Sequence, residues 1–122
     1  MKRTIASDFY GTLVDKNTIV YFHPNAKVFL EKADSDIIIC SVEHPKVSEQ
    51  ICNRLGIKIV GAYCPGSIKP QEDIFIGALR VYKEMQKHMQ RYNQNPSAYI
   101  TDKNLEAVLC AHVFGKTLYC GL

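Results

Sequence analysis

Apolar and polar positions along this chain fall into two alternating kinds of segment. "DIIIC" (36–40) is a continuous, β-branched apolar run, the pattern of a strand buried on both faces of a parallel sheet. Shorter runs of β character are "RTIASDF", which reaches Asp8, "IKIVGAYC", "SAYITD" and the final "KTLYCGL". Between them lie segments of helical period. "NAKVFLEKA" predicts a helix after His23-Pro24 with Asn25 as its N-cap. "PKVSEQICNRLG" carries Val47, Ile51 and Leu55 four residues apart, with Gly56 as its stop. The longest helix is expected to begin near Pro70, a favoured first-turn residue, and to bury Phe75, Leu79, Tyr82, Met85, Met89 and Tyr92. "NLEAVLCAHVFG" reads as an almost wholly apolar helix closed by Gly115, with His112 a satisfied core residue. Strands alternating with helices over short connections predict an α/β fold: a parallel sheet between two helical layers, α/β/α.

Composition narrows the classes without changing that picture. A chain of 122 residues, 47% hydrophobic and 22% charged, is enough for one core, so a single domain over 1–122 is expected. The net charge of +3 is too mild to point to nucleic acid or a membrane surface. No apolar run approaches the length of a membrane span, and "MKRTIASDFY" lacks the apolar stretch of a signal peptide. Five cysteines, at 40, 52, 64, 110 and 120, form no CxxC pair and mostly sit among apolar residues. Reduced, buried thiols and a cytoplasmic location are the expectation. The histidines, at 23, 44, 88 and 112, show no zinc-ligand spacing.

In parallel sheets of this kind, ligands sit beyond the carboxyl ends of the strands. The first strand delivers Asp8 there, the second Ser41 and the fourth Asp102, while Lys69 lies in the connection after the third. Two acids, a hydroxyl and an amine thus converge on one edge from four separate parts of the chain.

The segments "DFYGTL", "IIICS", "SIKPQEDIF" and "YITDKNLEA" resemble, in order and spacing, the four motifs of the haloacid dehalogenase (HAD) superfamily of hydrolases. The resemblance implies a Rossmann-like, HAD-like core in which Asp8 is the nucleophile. Ser41 and Lys69 would bind the substrate's phosphate, with Thr12 beside them, and Asp8, Asp102 and the backbone carbonyl of Tyr10 would hold Mg2+. Glu106 stands where the family usually has a second aspartate, and its longer side chain leaves two roles open, a direct metal ligand or a support behind the metal. Only 28 positions separate Leu13 from Ser41, filled by a flap-like stretch, a helix and a strand, and 28 more separate Ser41 from Lys69. Neither interval has room for a cap domain.

The residue types suit that chemistry. A carboxylate can attack phosphorus and form an acyl phosphate, dividing one hard step into two. A divalent cation and a lysine would neutralise the phosphoryl oxygens that repel an anionic nucleophile.

Tyr10 departs from the phosphatase pattern, in which a second aspartate protonates the leaving oxygen and then activates water. A phenol can donate a proton at neutral pH but is a poor base, and losing a positioned acid–base group costs about 10²- to 10⁴-fold. Three readings follow. One is a capless magnesium-dependent phosphatase, slow on poor leaving groups, with Tyr10 in the catalytic group and His44 a candidate replacement acid. A second resembles the L-2-haloacid dehalogenases, which share Asp-x-Tyr-Gly-Thr but lack the metal-binding aspartate and carry a helical cap. A third is a catalytically impaired binding protein, supported by the basic positions Arg80, Lys83, Lys87 and Arg91, which a solvated helix face explains better. The first is preferred, with a phosphorylated small molecule or macromolecule as substrate. No membrane or nucleic-acid partner is expected. The open site and the apolar ending "LYCGL" suggest a homo-oligomer.

Overall fold

The computed structural model describes residues 3–18 and 23–121. Five strands form one sheet, β1 (Thr4–Asp8), β2 (Asp36–Cys40), β3 (Gly61–Tyr63), β4 (Ala98–Thr101) and β5 (Thr117–Tyr119). Four helices connect them: α1 (Pro24–Ala33), α2 (Pro45–Leu55), α3 (Ile74–Arg91) and α4 (Asn104–Phe114). Every pairing is parallel and the strand order is β3-β2-β1-β4-β5. The chain therefore works outward from β1 to β3, then crosses to the other side of β1 to lay down β4 and β5. That reversal puts the crevice between β1 and β4, at the strand ends that carry Asp8 and Asp102.

Alternation along the strands builds two cores, one on each face. Ile5, Ile39 and Ile100 join Leu30 and Cys52 of α1 and α2 on one side. Ala6, Ile38 and Tyr99 join Met85, Met89 and Phe114 of α3 and α4 on the other. Burial on both faces is what makes "DIIIC" continuously apolar. The result is the expected three-layer α/β/α sandwich, and no cap domain stands among the described residues. The flap-like stretch after Leu13 lies in part outside those residues, at 19–22, as does the terminal Leu122.

Several local expectations change. α3 begins at Ile74 rather than near Pro70, because Asp73 caps it by accepting from the Ile76 N–H at 3.0 Å. Pro70 belongs instead to a turn in which the Glu72 N–H donates to the Lys69 carbonyl. His23, not Asn25, is the N-cap of α1, with Pro24 in its first turn. The α3 stripe is buried at Met85 and Met89, but its ends at Phe75 and Tyr92 are exposed. Val47 is also exposed, and α2 buries Ser48 and Cys52. β3 pairs over only three residues of "IKIVGAYC". His112 lies on the exposed side of α4, not in the core. The described cysteines are all free, Cys64 exposed and the others buried. Among the described residues no helix is long and apolar enough to cross a membrane.

Candidate active site

Asp8 ends β1, and the chain turns immediately. Gly11 takes a left-handed conformation (φ 87°) and its N–H donates to the Val14 carbonyl at 2.8 Å, while the Leu13 N–H returns to the Phe9 carbonyl at 2.9 Å. This tight loop aims the Tyr10 carbonyl at the space beside Asp8. It also requires glycine twice over, since a Cβ at position 11 would come within 2.8 Å of Asp102 Oδ2.

Thr12 is fully buried and joins the two acids rather than facing a substrate. Its hydroxyl donates to Asp102 Oδ1 at 2.9 Å and accepts from the Asp102 N–H at 3.1 Å, with Asp8 Oδ2 3.4 Å away. The Thr12 side chain, expected beside the substrate, is turned to the two acids and has no exposed surface in this structure. Asp8 Oδ1 accepts the Phe9 N–H at 2.9 Å.

The cation of the site is a residue that motif reasoning passed over. The Lys103 ammonium forms an ion pair with Asp8 Oδ2, donates to the Tyr10 carbonyl at 2.8 Å and reaches Asp102 Oδ1 at 3.1 Å. Lys103 is the N-cap residue of α4, and its own N–H donates to Thr101 Oγ1 at 3.1 Å, which turns the side chain back over the sheet edge. Burial alone would lower its pKa, but the bonds and charges of Asp8 and Asp102 leave it raised, so the amine stays charged. Burial pushes Asp8 upward, and the Lys103 ammonium opposes that rise.

Lys69, by contrast, is not brought to this group. It is exposed, its N–H donates to Glu72 Oε1 at 3.0 Å, and its charge acts on Glu72 rather than on Asp8. Arg80 holds the same glutamate through Oε2 at 2.8 Å, and these contacts keep the Glu72 carboxyl down at about 2.

A cleft of about 200 Å³ opens above the strand ends. Asp8, Tyr10, Ser41, Lys103 and Glu106 line it, with Lys16 at its margin. Ser41 is buried and its hydroxyl accepts the Glu43 N–H at 3.1 Å. The Tyr10 pKa is raised by burial and by hydrogen bonding to the Glu43 carboxylate, so the phenol remains protonated. His44 is the N-cap of α2, its Nδ1 accepting from the Lys46 N–H at 3.1 Å, which removes that nitrogen from proton transfer. Glu106 accepts from the Tyr99 hydroxyl at 2.5 Å, and burial, then the Asp8 charge, pushes its carboxyl up to about 7.

Asp8 Oδ2, Tyr10 O and Asp102 Oδ1 are two carboxylate oxygens and one carbonyl oxygen facing a single point, a donor set that suits Mg2+ completed by water or substrate oxygens. Among the described residues, no group of three or more His, Cys, Asp or Glu side chains could hold a metal. A divalent ion here would rely on the backbone oxygen as well as on the two acids.

No protein-family model matches the sequence, and no curated protein matches it. Similarity lies in three dimensions. The core domain of a candidate phosphoglycolate phosphatase from Streptococcus pneumoniae superposes with a TM-score of 0.54 at 15% identity, covering 96% of this chain and 78% of that one. A cobalt-bound deoxy-D-mannose-octulosonate 8-phosphate phosphatase from Haemophilus influenzae gives a TM-score of 0.48 at 16% identity, covering 98% of this chain and 80% of that one. The first likeness shows the fold, a parallel α/β/α core.

Proposed function

We propose that the chain is a HAD-type hydrolase, a single core domain that removes phosphate from phosphate esters through an aspartyl-phosphate at Asp8. The observation that carries this reading is the convergence of Asp8, the Tyr10 carbonyl and Asp102 on one cation at the strand-order reversal. Asp102 also argues against a dehalogenase, whose chemistry has no use for a second carboxylate on that cation. Phosphatase is also what the Streptococcus pneumoniae structure is described as.

In this reading Asp8, the Tyr10 carbonyl and Asp102 hold Mg2+, which when bound supplies positive charge against the phosphoryl oxygens. The Asp8 carboxylate attacks phosphorus, the P–O bond to the leaving group breaks, and the leaving oxygen takes a proton from the cleft or solvent. Water then attacks the acyl phosphate, releasing inorganic phosphate and restoring Asp8. Ser41 and Lys16 line the space that the phosphoryl oxygens enter and supply a hydroxyl and an ammonium group. Tyr10 holds its proton toward Glu43, so proton delivery is weak and aryl or acyl phosphates are the favoured class.

The test is turnover of an aryl phosphate by the wild-type chain and an Asp8→Asn variant, with Mg2+ and with EDTA. Metal-dependent release of phosphate by the wild type alone supports the reading. Absence of turnover, together with no beryllofluoride adduct at Asp8, overturns it.

A further inference from the structure

We propose that the Lys103 ammonium is a tethered cation occupying the divalent-metal position, so that metal binding by this chain is an exchange in which the lysine must leave. The proposal rests on the metal site of the preceding reading but not on its chemistry.

Three oxygens define the position, and each comes from a different place: Asp8 from the end of β1, Tyr10 from the turn after it, and Asp102 from the end of β4. Lys103 Nζ meets all three at once, paired with Asp8, 2.8 Å from the Tyr10 carbonyl and 3.1 Å from Asp102. An ammonium has three protons, and here each has an acceptor. A lysine that merely neutralised a nearby carboxylate would need one. The same three oxygens are those a magnesium ion would take, at about 2.0–2.1 Å, and two cations cannot share them.

The arrangement is held in a way that allows exchange. The backbone of Lys103 is anchored, through its N–H to Thr101 Oγ1 and its place at the head of α4. The side chain is 49% exposed and flexible, so it can swing into solvent without disturbing the helix. Thr12 holds Asp102 by two hydrogen bonds independent of the lysine, so the oxygen set survives its departure. The ammonium therefore stabilises the carboxylates when no metal is present and competes with any metal that arrives.

The experiment measures Mg2+ and Mn2+ binding by calorimetry, without substrate, on the full chain stripped with EDTA. Lys103→Met and Lys103→Gln should bind both ions at least about ten-fold more tightly than wild type, because the lysine-bound fraction no longer reduces the competent population. Lys103→Arg keeps the charge and should show no such gain. Asp102→Asn in the Lys103→Met background should abolish the gain. Melting curves provide the second measurement: the neutral variants should lose stability without metal and recover more than wild type when metal is added. Equal or weaker metal binding by both neutral variants overturns the proposal, as does an equal gain in Lys103→Arg or no binding in any of the chains. Because no turnover is measured, a chain that fails as a phosphatase but shows the gain sustains this inference alone. Turnover without the gain sustains only the reading of function.

Discussion

Thr12 and Asp102 exchange two hydrogen bonds across 90 positions of sequence: the hydroxyl donates to Asp102 Oδ1 at 2.9 Å and accepts the Asp102 N–H at 3.1 Å. Thr12→Val keeps the buried shape and removes both bonds, leaving the Asp102 N–H without its partner. The expected cost is about 1–3 kcal/mol in urea-denaturation stability, the range for a buried group left unsatisfied. Thr12→Ser keeps the hydroxyl and should recover most of it. Equal losses in the two variants would show that the methyl group, not the bridge, carries the effect.

Gly11 is the second hinge of the same loop. Alanine there meets a φ of 87° and places a Cβ 2.8 Å from Asp102 Oδ2. The left-handed backbone alone costs about 1–2 kcal/mol, and the contact must also push Asp102 aside. Gly11→Ala should therefore lower the melting temperature and weaken Mn2+ binding together. Gly56, also left-handed at φ 72° but with nothing within 4 Å of an added Cβ, is the control: its alanine variant should lose stability without losing metal.

The fold and half of the site were legible in the chain, for a physical reason. A strand buried on both faces must be continuously apolar, so "DIIIC" matches β2 residue for residue. Asp8, Ser41 and Asp102 were readable because each directly follows or closes such a run, and position at a strand end is a property of sequence order. Lys69 and Lys103 show where this stops. Motif spacing says where along the chain an amine stands, not which way its side chain turns. Lys69 is drawn to Glu72, which Arg80 also grips, whereas Lys103 folds back from a helix start onto three oxygens. The adjacency in "TDKN" was the available signal. The start of α3 was misplaced because Pro70 suits a first helical turn as well as it suits a plain turn. The side-chain cap at Asp73 decides between them. His112 was read as core because α4 is apolar almost all round, a pattern that does not show which side faces solvent; Leu105 and Val108 are exposed there too.

Glu106 makes stability depend on pH. Its carboxyl is raised from the usual 4.5 to about 7, by burial first and the Asp8 charge second. Between those values the folded chain keeps a proton that the unfolded chain has released. The contribution is therefore complete below about pH 4.5 and is lost as pH rises through about 7, a change of roughly 3 kcal/mol at most. Denaturation with EDTA present should show wild-type stability falling across that window. Glu106→Gln, which can still accept from Tyr99 but does not titrate, should show a flatter profile. Parallel profiles for the two chains would assign the pH dependence to other groups.

Under the proposed function, Tyr10 is the residue expected to set which substrates turn over. Its phenol donates to Glu43, and burial and that carboxylate both raise its pKa, so it cannot serve as a base near neutral pH. Tyr10→Asp puts a carboxylate on the same loop while leaving the backbone carbonyl facing Lys103, so the cation position should survive the change. Beside Glu43 the new acid would itself titrate high, as like charges do, which favours proton donation to a leaving oxygen. Turnover of an alkyl phosphate should rise by about 10²- to 10⁴-fold, the usual worth of a positioned acid–base group. Turnover of an aryl phosphate, whose leaving group needs little protonation, should change far less. Steady-state rates on the two esters measure this directly: an equal effect on both would mean that position 10 acts through the metal site or the loop rather than through proton transfer.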